Sequence, residues 1–191
     1  MVGNSENTAS YLHKLGNNRL GLWLFLISDG FVFAGLFITR FYLMGNSRPE
    51  LEQGVGLIVT IVLLISSFFM NRGETYMKHG NVKGFLFNTT ITLVLGILFL
   101  VGVVGVEWQI APFGPSDGAQ GAVFYVMTGF HAFHVLTGVI FLLIILNNGR
   151  KGVYTRERHW GVEACAIYWH FIDVVWIFFY PALYLIGVAA H

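Results

Sequence analysis

GFLFNTTITLVLGILFLVGVVGV, residues 84–106, runs for 23 residues without a charge. Coiled as an α-helix at about 1.5 Å per residue, it is long enough to cross roughly 30 Å of hydrocarbon. Its apolar residues fill consecutive positions, so the alternation of two that a membrane β-barrel strand needs is missing. Four other stretches have the same character, at about 20–44, 54–71, 122–147 and 162–188. Between them lie Gly45-Asn46-Ser47-Arg48-Pro49, the segment Asn71 to Lys83, Ala111-Pro112-Phe113-Gly114-Pro115, and Asn147 to His159. These are turn and interface signals. The expected fold is all-α, a polytopic membrane bundle of five transmembrane helices. A polar N-terminal segment, 1–19, precedes a transmembrane domain, 20–191. The first 18 residues carry no apolar core, so no cleavable signal peptide is expected.

Composition agrees with the runs. Of 191 residues, 55% are hydrophobic and 11% charged, with a mean hydropathy of +0.67. A soluble domain carries about a quarter charged residues. The deficit excludes a disordered or nucleic-acid-binding chain and argues against a soluble enzyme, whose surface needs more charge. The net charge of +1 implies no acidic or basic partner. Cys165, the one cysteine, can form neither an internal disulfide nor a paired-cysteine metal site, and reads as a small apolar residue.

The basic residues predict orientation. Lys14 and Arg19, then Arg72, Lys78 and Lys83, then Arg150, Lys151, Arg156 and Arg158 fall in regions that share one side of a five-helix chain. Those regions hold nine of the eleven Lys and Arg, leaving Arg40 and Arg48 for the other side. The N-terminus is therefore expected to be cytoplasmic and the C-terminus outside.

An ionisable group inside a span is costly and needs a reason. Asp29 lies well inside the first span, His131 and His134 midway along the fourth, and His170 and Asp173 in the fifth. At 1.5 Å per residue, Asp29, His134, His170 and Asp173 fall roughly 12–17 Å from the basic side, with His131 close to the same level. Helices four and five run antiparallel, which would set His134 near His170 and His131 near Asp173. Glu107 and Glu163 lie near helix ends, where headgroups or water can reach them. Trp169 and Trp176, inside the fifth span, are read as packing or lipid-facing residues. Gly96, Gly102 and Gly105 suggest close helix approach.

Four readings of the midplane layer stand on the residues alone: hydrogen bonds between helices, a proton or ion path, axial ligation of haem b, and a metal site built from the two i,i+3 pairs. Two histidines are a weak haem signal. Neither pair has the Glu-x-x-His form of a di-metal carboxylate site.

Three segments go further. Tyr168-Trp169-His170-Phe171-Ile172-Asp173-Val174-Val175-Trp176-Ile177-Phe178 closely resembles the signature of subunit III of haem–copper terminal oxidases. Thr128-Gly129-Phe130-His131-Ala132-Phe133-His134-Val135-Leu136-Thr137-Gly138 resembles that family's other marked segment, and Leu22-Trp23-Leu24-Phe25-Leu26-Ile27-Ser28-Asp29 its opening helix. Ser66-Ser67 and Glu107-Trp108 fit the helices between, so the resemblance runs from about residue 19 to 187. It looks like the five-helix bacterial form, without the first two helices of the mitochondrial type. Asp29 stands where many members have Glu, one methylene longer.

The resemblance implies a non-catalytic subunit in direct contact with subunit I, with subunit II in the same complex, in a respiratory enzyme that reduces oxygen to water and pumps protons. It implies no haem or copper on this chain, both being held by partner subunits. It also implies phospholipids in a cleft and support of proton uptake and active-site lifetime. Asp29 is then the candidate for proton uptake or the lipid cleft. His131, His134, His170 and Asp173 become the hydrogen-bonding candidates between helices four and five, and the expected location is the bacterial plasma membrane. Quinol and cytochrome c both remain as electron donor. The neighbouring reading is a subunit III-like protein of nitric oxide reductase; readings of a different class are an independent haem b protein or a small transporter.

Overall fold

The computed structural model describes residues 2–189, with side chains from residue 13 to residue 188. Five of its helices are long and apolar enough to cross a membrane. They are α1, Val2–Met44; α2, Gln53–Lys78; α3, Val82–Ile110; α4, Gly118–Arg150; and α5, Trp160–Leu185. Helices outrun their apolar segments where polar ends reach toward water. The last turn of α2 carries an i,i+4 pair, Lys78 Nζ to Glu74 Oε1 at 2.6 Å. The α2–α3 hairpin turns through Gly80 at φ +76°, a backbone region that favours glycine. Asn81 then caps α3 by accepting the Gly84 amide at 2.9 Å.

Helices α2 to α5 form the packed core, organised around two tryptophans. Trp169 and Trp176 are fully buried, so of the two readings open from sequence, packing holds. Trp169 enters a slot made by two missing side chains. A Cβ on Gly96 would lie 2.6 Å from its ring, and one on Gly138 2.8 Å. Hydrocarbon supplies no hydrophobic drive for helix association, so close contact and buried hydrogen bonds must do it. Trp169 Nε1 donates to Ser66 Oγ at 3.0 Å, and Trp176 Nε1 to Thr60 Oγ1 at 2.9 Å.

Two helices widen near their ends, away from the Lys- and Arg-rich end of the bundle. α3 leaves the regular ladder at Val101–Glu107, and α5 does so at Pro181–Leu185. Pro181 has no amide hydrogen, so the i→i−4 pattern opens there, and Ile186 N reaches back to Pro181 O at 2.8 Å. A two-residue parallel pairing, β1 (Ser47–Arg48) with β2 (Val188–Ala189), ties the α1–α2 loop to the residues after α5.

Candidate functional site

The midplane residues do not form one cluster. Asp29 of α1 meets His134 of α4, with Oδ2 3.0 Å from Nε2. The contact has ion-pair distance without hydrogen-bond alignment, since Oδ2 has no hydrogen-bond partner. His134 Nδ1 lies 2.7 Å from the carbonyl oxygen of Phe130, which can only accept, so Nδ1 carries a hydrogen. An ionised Asp29 facing the bare Nε2 of a neutral imidazole would be repulsive. The contact is attractive when the pair holds one further proton, on Nε2 or on Asp29. Phe33 anchors α1 beside it, its ring 4.8 Å from His134 and 5.7 Å from Phe179.

His170 turns to α2 instead. Its Nδ1 lies 2.7 Å from Ser67 Oγ, while Asp173 Oδ2 is 3.9 Å from that same nitrogen. Serine and carboxylate both address Nδ1, so the trio lacks the geometry of a nucleophile–base–orienter relay, which uses the two ring nitrogens separately. Asp173 is buried and neither of its oxygens has a hydrogen-bond partner.

His131 is enclosed in aromatic rings, 4.8 Å from Trp176 and 5.5 Å from Phe99, with neither nitrogen hydrogen-bonded. Between α4 and α5 the hydrogen bonds run instead to Tyr168 Oη, which lies 2.6 Å from Thr137 Oγ1 and donates to the backbone oxygen of His134 at 3.4 Å. The four candidates thus point to α1, to α2 and into the core, rather than to one another across α4 and α5. Three residues along a helix is a turn of 300°, which separates His131 from His134 by about 60°. That suffices to send one inward and the other to α1.

Glu107 departs from the expectation of water or headgroup access. It is 2% exposed and accepts a hydrogen bond from the Tyr184 hydroxyl. The widened turn of α3 swings it into the interior, and the widened turn of α5 brings Tyr184 to meet it. Its second oxygen, Oε2, has no hydrogen-bond partner. Glu163 does lie at a partly open helix end, where Oε1 and Oε2 accept from Arg19 Nη2 at 2.9 and 3.1 Å.

Arg40 entered the sequence reading only as a charge. It is fully buried and donates through Nε to Ala182 O at 2.7 Å, through Nη1 to Gly45 O at 3.0 Å and through Nη2 to Ile186 O at 2.7 Å.

Among the described residues, no three His, Cys, Asp or Glu side chains converge as a metal ion would require. What the geometry offers is a close carboxylate–imidazole contact at Asp29–His134 and buried polar contacts that join helices.

Comparison with known proteins gives the family. Residues 8–188 match the family model for Cytochrome c oxidase subunit III. The cytochrome c oxidase subunit 3 of Thermostichus vulcanus is 37% identical over 174 residues, covering 87% of this chain and 86% of that protein. That of Podospora anserina is 36% identical over 201 residues, covering 96% of this chain and 74% of its own length. That of Rhinoceros unicornis is 37% identical over 182 residues, covering 88% and 69%. The chain belongs to the cytochrome c oxidase subunit III family.

Proposed function

We propose that this chain is the accessory subunit III of a proton-pumping respiratory oxidase in a bacterial plasma membrane, with its basic end cytoplasmic. Oxygen reduction belongs to the haem and copper of the partner subunits, and subunit I is the direct neighbour. The relatives' name favours cytochrome c as electron donor. The observation that carries the reading is the Asp29–His134 pair, a close carboxylate–imidazole contact inside the span, between α1 and α4. On that flank a furrow of about 450 Å³ is lined by Leu22, Phe25, Phe141, Ile144, Cys165 and Tyr168 among others. Its apolar walls suit phospholipid acyl chains. The pair therefore supports proton uptake and active-site lifetime from a lipid-lined flank, without contacting the reacting oxygen.

The test is purification of a tagged full-length chain in mild detergent, as wild type and as Asp29→Asn. Oxidase subunits with haem–copper spectra are expected to co-purify in both. The variant is expected to keep the haem spectrum and to shorten enzyme lifetime, or slow proton uptake, at least twofold. Co-purification with nitric oxide reductase subunits, or a Soret band on the isolated chain, would sink the assignment. Unchanged uptake and lifetime would remove Asp29 from the function.

A further inference from the structure

The α2–α3 hairpin carries a recess of about 490 Å³, lined by Arg72, Tyr76, Asn81, Lys83 and Phe87 among others. Arg72 follows the apolar run of α2, and Lys83 precedes that of α3. Both therefore stand where hydrocarbon gives way to headgroups. About one turn deeper on the two helices lie Phe68 and Phe87, both exposed.

The recess is organised before anything enters it. A Cβ on Gly84 would lie 2.7 Å from the Tyr76 ring, so the missing side chain lets that ring rest against the start of α3. Tyr76 Oη accepts a hydrogen bond from Arg72 Nη2 at 3.2 Å. The guanidinium carbon lies 5.8 Å from the Tyr76 ring centre and 5.7 Å from that of Phe68. The bond and the two rings hold the planar cation in place. Its Nε and Nη1, like Lys83 Nζ, make no hydrogen bond among the described residues. Asn81 spends its side-chain oxygen on the Gly84 amide, which leaves its amide hydrogens to donate.

No carboxylate lines the recess. Glu74, close by in sequence, is taken by Lys78 at 2.6 Å. Two cations without a counter-ion, one of them a preset guanidinium, are the chemistry that recognises a phosphate. Depth selects its source. At the edge of the hydrocarbon the phosphates belong to lipids, and the exposed Phe87 ring below continues the recess as an apolar surface.

We propose that this recess binds the phosphate of an anionic phospholipid, with Arg72 and Lys83 as its counter-charges and an acyl chain running past Phe87. It shares no residue with the apolar furrow beside α1 and α4, and it does not depend on which enzyme complex the chain serves.

The test replaces Phe87 of the full chain by a photoreactive phenylalanine derivative. The protein, with the subunits that co-purify, is placed in vesicles of equal parts phosphatidylglycerol and phosphatidylcholine and irradiated. Mass spectrometry of the adducts is expected to show phosphatidylglycerol in at least about fivefold excess. Arg72→Gln with Lys83→Gln is expected to bring the two lipids to parity. Tyr76→Phe keeps both charges and removes only the hydroxyl that positions Arg72, and is expected to cut the excess by about half. It also serves alone should the double variant fail to insert, and it separates a built site from diffuse attraction to a basic rim. Equal adducts in the wild type, an undiminished excess in either variant, or an adduct with a polypeptide would overturn the proposal. So would loss of the excess on adding inorganic phosphate at matched ionic strength, which would make the ligand a free anion.

Discussion

α1 and the unit formed by α2 to α5 are held by different means. In α2 to α5, side chains interlock: Trp169 fills the slot at Gly96 and Gly138, and tryptophan amines find hydroxyls on α2. α1 buries Leu26, Phe33, Arg40 and Met44 among its described residues and leaves Leu24, Phe31, Ile38 and Tyr42 exposed. It is fastened by polar contacts at three depths: Arg19 to Glu163, Asp29 to His134, and Arg40 to the carbonyls around the end of α5. Lipid gives a thinly packed helix no reason to stay, so the fastenings carry the attachment. The same thin packing leaves apolar furrows open on both flanks of α1.

The contrast is broken most easily at its strongest fastening. Arg40→Met keeps the apolar stem and leaves three carbonyl oxygens without their donor. Only the Ala182 bond is fully buried, the Gly45 and Ile186 bonds being part-buried; leaving a buried acceptor unsatisfied costs about 1–3 kcal/mol, so a loss of about 2 kcal/mol is expected in denaturant-induced unfolding. Proteolysis should begin near residues 181–188. A variant within about 1 kcal/mol of wild type would mean that Arg40 does not hold the α5 end to α1. Gly138→Leu attacks the other unit by driving Trp169 from its slot, with an expected loss of about 2 kcal/mol. Quenching of tryptophan fluorescence by lipid-borne quenchers should rise as the indole moves outward. Unaltered quenching would refute the slot.

The division between the two units was legible in part. Run lengths and turn residues determined five helices, because a bilayer imposes its thickness on the chain. Depth arithmetic gives an expected level for each polar residue, because rise per residue is nearly constant. Neither gives azimuth, so the arithmetic set His134 level with His170 but could not tell that one turns to α1 and the other to α2. Glu107 was misread as accessible because regular helix geometry leaves it near an open end, whereas the widened turn rotates it inward. Arg40 escaped because its partners are backbone carbonyls, which have no residue type to recognise.

The weakest fastening tests whether depth matters. Arg19 and Glu163 meet in good geometry, but their side chains are 50% and 22% exposed, and exposed ion pairs contribute about 0–1 kcal/mol. Trp160 lies below the guanidinium, 5.7 Å from Cζ to the ring centroid, so Arg19→Gln loses some stacking as well as charge. The expected cost is about 0.5 kcal/mol, shrinking further in high salt because the pair is open to screening. Asp29→Asn, away from bulk water, should cost about 1 kcal/mol and respond less to salt. Measuring both variants across a salt series separates them. If Arg19→Gln proves as costly and as salt-insensitive as Asp29→Asn, the basic end of α1 is shielded from water, and a partner subunit covering Arg19 becomes the next thing to look for.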